Sequence, residues 1–199
     1  MPFSFLKLHF KTIRIMRTFI LATLICLGLN TSSSAQEAKI HWMTVEEVTE
    51  AMKKEPRKIM MDVYTKWCGP CKMMKANTFT NPKVISYLNE NYYAIMLDAE
   101  HPHDIEYKGT VYSNPTYDPN RKGRNGVHGL SRALKVNAYP TIVYFDEKFN
   151  VITANSGYKD SKGIERYLRF FNEVYTMDIP KENIQSVWDN YNSNFTPSW

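Results

Sequence analysis

The chain has 199 residues, 43% of them apolar and 23% charged, with a formal net charge of +5. Most of that charge sits at the front. The first 35 residues hold Lys7, Lys11, Arg14 and Arg17 and no acid, so residues 36–199 carry only +1, which excludes a basic face for nucleic acid.

From Met16 the chain reads "MRTFILATLICLGLNTSSSAQ". One arginine, an apolar run over 18–29 and small residues at Ser33 and Ala35 predict a signal peptide cut before Gln36. The run is about 12 residues, short of the roughly 20 that span a bilayer, and Ile25 is too large for lipoprotein processing before Cys26. Residues 1–15 read as an over-extended start or a longer basic n-region. Cleavage leaves 164 of the 199 residues, enough for one domain with a full core. The expected location is periplasmic or secreted, with no membrane-spanning segment after cleavage.

In the remainder, "KIHWM" (39–43) reads as a short strand. "TVEEVTEAMKKEP" (44–56) opens with a Thr44/Glu47 capping box and stops at Pro56, which predicts a helix. "KIMMDVYT" (58–65) is an apolar strand with Asp62 in its middle. Residues 71–76 are expected to be helical, and Asn81 with Pro82 starts another helix over "NPKVISYLNEN". "YYAIMLDAE" (92–100) is a second buried strand. Residues 101–127, rich in Pro, Gly, Asn, Asp and Tyr, read as a long loop without periodicity. A short helix "GLSRALKV", a hairpin of "YPTIVYFDE" and "NVITANSG", a helix "DSKGIERYLRFFNEVY" capped by Asp160 or Ser161, and a short helix over 181–191 complete the chain. The order predicts an α/β fold, a mixed sheet with helices on both faces.

The chemistry concentrates in "YTKWCGPCKMMK" (64–75). With Cys26 gone, Cys68 and Cys71 are the cysteines left; one pair three apart is not a disulfide scaffold, and its loop is too small to constrain the unfolded chain much. Cys68 sits where a buried strand hands over to a helix, whose free N–H groups favour a thiolate. Cys71 lies one turn deeper on the same face and is expected to be the more shielded. That asymmetry suits one cysteine to attack and the other to resolve a mixed disulfide. Pro70 fits the first helical turn, where its missing N–H costs nothing. A competing reading completes a Cys₂His₂ metal set with His101 or His103, but the Cys-X-X-Cys is single and an exposed His-Pro-His loop is usually solvated.

Trp67–Cys71, "WCGPC", is identical to the motif of the thioredoxin family, which the chain resembles over roughly residues 40–175. "TFTNPKVISYL" (78–88) resembles the segment after that motif in small extracytoplasmic members and in the soluble C-terminal domain of the membrane thiol-disulfide interchange protein. The resemblance implies a thioredoxin fold over 36–177 with an insertion at 101–127 and a C-terminal extension at 178–199. It implies protein-disulfide reductase activity, with Cys68 as nucleophile, Cys71 as resolving thiol and Asp62 as a buried acid of raised pKa that relays a proton to Cys71. It places Trp67, Gly69, Pro70, Tyr139 and a cis Pro140 against substrate, with Gly157 ending the last strand. The redox-active disulfide takes the place of any cofactor, and no metal is expected. The expected partners are extracytoplasmic protein disulfides and a membrane electron donor. Two departures stand out: no lysine on strand 92–98, where the family keeps one near the buried acid, and Tyr139 where an aliphatic residue usually precedes the proline. Alternatives from other classes are a partner-binding module on the same scaffold, and a metal chaperone using Cys68, Cys71 and His101 or His103.

Ligands in parallel α/β sheets bind beyond the carboxyl ends of the strands. Strands 58–65 and 92–98, if parallel, bring the insertion out beside the disulfide. Tyr107, Tyr112 and Tyr117 then become candidate recognition residues.

Overall fold

The computed structural model describes residues 39–199; the leader reading, with Cys26, lies outside the described residues. Thr44 opens helix α1 (Val45–Met52) by accepting the Glu47 N–H while Glu47 accepts the Thr44 N–H, the capping box the sequence predicts. The helix stops at Met52, before Pro56, whose ring disfavours helical geometry in the residue preceding it. Strand β2 (Lys58–Tyr64) follows, after the short β1 (Trp42–Met43). Helix α2 (Gly69–Met73) runs into a wide turn over Met74–Thr78, in which the Phe79 N–H reaches back five residues to the Met74 carbonyl. Asn81 caps α3 (Pro82–Asn91), which leads directly into β3 (Tyr92–Asp98).

The insertion is not structureless. It carries an antiparallel hairpin, β4 (Ile105–Tyr107) and β5 (Thr110–Tyr112). Lys108 and Gly109 both have positive φ (52° and 74°), as a two-residue hairpin turn with the right twist requires. After it come α4 (Gly129–Ala133), the hairpin β6 (Thr141–Phe145) and β7 (Val151–Ser156), and α5 (Ser161–Arg169), capped by Asp160. The tail forms α6 (Ile184–Asn194).

The strands form one five-stranded sheet in the order β1-β3-β2-β6-β7. β1, β3 and β2 run parallel, β6 runs antiparallel to β2, and β7 runs antiparallel to β6. Side chains leave each strand alternately to opposite faces, so the sheet has two cores. Met60, Ala94, Ile142 and Tyr144 pack with Met74, Leu88, Ile164 and Phe170 on one side. Ile59, Met61, Val63 and Val143 pack with Val48, Leu130 and Leu134 on the other. The tail is tied to the first core: Trp188 stacks on Tyr167 at 4.6 Å, and buried Glu165 accepts the backbone N–H groups of Ser198 and Trp199.

The insertion is tied to the second core. Ile105 is buried, and Tyr107 packs against Phe145 and Phe149 while its hydroxyl donates to the Phe149 carbonyl at 2.6 Å. Its base is closed by buried Asn114, whose Nδ2 donates to the carbonyls of His101 (3.1 Å) and Gly126 (2.7 Å). Gly126 is required there, because a Cβ would lie 2.6 Å from the Thr116 carbonyl. Asn114→Ala leaves both carbonyls unbonded and is expected to cost about 2 kcal/mol. Urea unfolding reads the loss, and the amides of His128 and Gly129, bonded to Ala99 and Ser113, should exchange faster. An unchanged midpoint and unchanged exchange would mean that Asn114 does not hold the insertion closed.

Candidate active site

Strand β2 ends one turn before the cysteines. The Cys68 N–H donates to the Thr65 carbonyl at 3.2 Å, a tight turn that leaves Cys68 in extended geometry as the N-cap of α2. Its Sγ accepts the Cys71 N–H at 3.1 Å, so a backbone donor is already aimed at the sulfur where a thiolate charge would sit. Cys68 and Cys71 form a disulfide with Cα atoms 5.3 Å apart. The expected difference in exposure is absent in this oxidised form: Cys68 is 3% exposed and Cys71 5%. What separates the two is their surroundings. Cys68 adjoins the exposed rim, whereas Cys71 faces a cavity shared with Asp62.

The rim is made by exposed Trp67, Gly69, Pro70 and Met73. Opposite lies the loop before β6. Val63 pairs with Thr141 across the sheet, which sets Tyr139 and Pro140 level with the end of β2. The Tyr139–Pro140 peptide is cis. Tyr139 meets Trp67 edge-to-face at 5.8 Å, and the Pro140 carbonyl accepts the Gly157 N–H at 2.8 Å. Gly157, with φ of +94°, ends β7 in a conformation that side chains rarely adopt.

Asp62 lies two residues beyond Met60, so both side chains leave the sheet toward α2. Its strand partners are Met96 on β3 and Ile142 on β6, both without a polar group to offer. The carboxyl is 3% exposed and Oδ1 has no hydrogen-bond partner. Burial pushes its pKa from 3.8 up to about 7, against a smaller lowering by the charge of Lys75. Asp62, Cys71, Lys72 and Lys75 line one cavity of about 270 Å³, room enough for water between acid and sulfur. Lys75 was not singled out from the sequence. It follows Cys71 by four residues, one helical turn on the same face.

The insertion does reach this end of the sheet, but through residues other than Tyr107 and Tyr112. Tyr107 and Tyr112 are turned into the second core. Arg124 instead lays its guanidinium over the Trp67 ring at 4.4 Å, and Glu100 Oε1 accepts both the Trp67 indole N–H (2.8 Å) and the Asn125 N–H (2.7 Å). The run "NRKGRN" (120–125) was the only signal for this contact in the sequence, and its charges look like ordinary solvated ones. The metal alternative is not gathered. His101 and His103 face each other at 5.6 Å, and among the described residues no group of three or more His, Cys, Asp and Glu side chains could hold an ion.

Because the folded carboxyl of Asp62 holds its proton more tightly than the unfolded one, its contribution to stability is full below pH 3.8 and is lost as pH rises to about 7. The loss amounts to at most about 4 kcal/mol. Asp62→Asn removes it. In the oxidised protein, thermal melts at pH 8 should show the variant above its parent by about 5 °C or more, and the two should converge near pH 4. A gap that is absent or independent of pH would mean that Asp62 is not a buried, destabilising charge.

Residues 45–172 match the family profile described as a thioredoxin-like domain. The chain is 26% identical over 129 residues to the thiol:disulfide interchange protein DsbD of Pectobacterium atrosepticum, covering 64% of this chain and 18% of that protein. It is 27% identical over 139 residues to the protein of the same name from Cronobacter sakazakii, covering 68% and 20%. The chain thus spans about a fifth of the length of these curated relatives. Among solved structures, a thioredoxin-fold protein from Helicobacter pylori superposes with a TM-score of 0.51 at 16% identity, over 69% of this chain and 86% of that one. The DsbH oxidoreductase superposes with a TM-score of 0.50 at 12% identity, over 74% and 94%. Among the described residues, no helix is long and apolar enough to cross a membrane. A mixed sheet with a Cys-Gly-Pro-Cys disulfide at the end of its central strand, a cis-proline loop against that disulfide's rim and a profile match over most of the fold have one common reading: the chain belongs to the thioredoxin-like family.

Proposed function

We propose that the chain is a thiol-disulfide oxidoreductase that reduces disulfides of extracytoplasmic proteins. The observation that carries the reading is the Cys68–Cys71 pair at a helix start, with a backbone N–H aimed at Cys68 Sγ and a buried acid of raised pKa sharing a cavity with Cys71. In the dithiol form, the Cys68 thiolate attacks one sulfur of a substrate disulfide. A Cys68–substrate S–S bond forms, and the first substrate thiolate leaves. Asp62, ionised, takes the Cys71 proton through the water its cavity accommodates. The Cys71 thiolate then attacks Cys68 Sγ, the intramolecular disulfide forms, and the second substrate thiolate leaves. Two electrons pass to the substrate, and the protein ends oxidised. A dithiol donor reverses the exchange and recharges the pair.

The reducing direction rests on the Gly-Pro dipeptide, shared with thioredoxin, whose potential near −270 mV lies far below the roughly −120 mV of the strong periplasmic oxidant. The leader that the sequence predicts over 1–35 and the likeness to DsbD support an extracytoplasmic location, periplasmic or secreted, and a membrane protein as the donor. Trp67, Gly69, Pro70 and the Tyr139–Pro140 loop form the surface on which an extended substrate strand would lie.

The test is insulin reduction with dithiothreitol as electron source. Cys68→Ser should drop the rate to the uncatalysed one, and Cys71→Ser should accumulate a mixed disulfide through Cys68. Brief iodoacetamide treatment of the reduced protein should label Cys68 first. Preferential labelling of Cys71 would reverse the assigned roles. A Cys68→Ser protein that keeps its cellular function would favour a binding module instead.

A further inference from the structure

Trp67, the residue before Cys68, lines a groove of about 490 Å³ together with Tyr139 and the insertion. Its floor and walls include Val127 and Val136, and its charged members are Arg124, Arg132 and Glu100. Glu100 is buried, and its Oε1 accepts the Trp67 and Asn125 N–H groups. Both arginines are exposed, and among the described residues neither is paired with a carboxylate. Arg124 stacks the face of its guanidinium on Trp67. Stacking uses the face of the cation and leaves its in-plane N–H donors free, the fork that binds a carboxylate through two parallel hydrogen bonds. The stacked side chain is also held in place before anything binds, so less entropy is lost on binding.

We infer that this groove is a recognition subsite for an acidic side chain close to the target cysteine of an extended substrate polypeptide, with Arg124 and Arg132 as its specificity-determining residues. The inference rests on the oxidoreductase reading for the presence of that cysteine, and on the groove alone for the charge preference. Trp67 adjoins Cys68 in the chain, so a strand crossing the disulfide passes the groove within a residue or two. A substrate carboxylate there replaces solvent as the partner of the two guanidiniums, while the apolar walls take the stem of the side chain.

The experiment uses the purified chain and three N-acetylated, C-amidated disulfide peptides that differ in the residues flanking the cysteine: Glu, Gln or Lys. At low ionic strength kcat/KM should be roughly tenfold higher for the Glu than for the Lys peptide, and 0.5 M salt should flatten the difference. R124E/R132E should invert the order. R124Q and R132Q, which keep most of the packing volume, should each bring the Glu peptide toward the Gln one. A second readout needs no turnover: the same peptides with serine for cysteine, titrated into the oxidised chain and followed by amide chemical shifts of 124–139. Equal kcat/KM for all three peptides, or a Glu preference that survives R124E/R132E, overturns the inference. A chain that reduces none of the peptides yet shows the Glu preference in the titration keeps the subsite and loses the oxidoreductase reading.

Discussion

β2 is hydrogen-bonded on both sides, to β3 in parallel and to β6 in antiparallel register, and residues 58–63 are buried. A strand held that way cannot slip by one residue without turning its whole apolar set to the wrong face. The register fixes three things at once. It turns Asp62 toward α2, it brings Thr141 and hence the cis-proline loop opposite Val63, and it ends the strand where the Thr65 carbonyl can hold the Cys68 N–H. The proposed nucleophile, proton relay and substrate platform therefore share one determinant, the pairing of a seven-residue strand.

Much of this is legible in the sequence because local signals and tertiary demands agree. The Thr44/Glu47 box, Asn81 before Pro82 and Asp160 each start a helix where their side chains predict. Asp62 is legible because a carboxylate inside "IMMDV" has no polar neighbour in the strand to pair with. The hairpin of the insertion is hidden for a physical reason. Its strands are three residues each, too short for period-two alternation to register, and its turn is Lys-Gly rather than the stronger Asn-Gly or Asp-Gly. Tyr107 and Tyr112 mislead for a related reason. Tyrosine suits recognition surfaces and half-buried core positions equally, and only the fold decides which: Tyr107 fills the space over Phe145 and Phe149.

The insertion then looks less like an ornament than like a wall. Buried Ile105 and the Asn114 bridge to both ends of the segment anchor its base. With its base fixed, the 124–127 stretch can hold Arg124 against Trp67 without the entropic cost that a free loop of this length would carry. Glu100 is the hinge of this arrangement. It stands just beyond β3, and one carboxylate oxygen binds both the rim tryptophan and the insertion backbone. A change at Glu100 would therefore disturb rim and groove together, which makes it a poor choice for separating their roles.

The missing lysine on β3 has a physical counterpart elsewhere. Met96 stands level with Asp62 where a cation would otherwise approach from the sheet. Lys75 supplies positive charge from the helical side instead, from the wide turn that continues α2 beyond Cys71. The two geometries are not equivalent. A cation held in a strand is fixed by the sheet, whereas an exposed lysine on a helix is mobile and screened by salt. Burial therefore wins at Asp62, and its pKa stays near 7 rather than returning to the ordinary carboxylate range. An acid balanced near neutrality gives up and accepts a proton with little free-energy cost in either direction. That is the property a relay to Cys71 needs if the pair is to be oxidised by substrate and recharged by a donor in the same compartment.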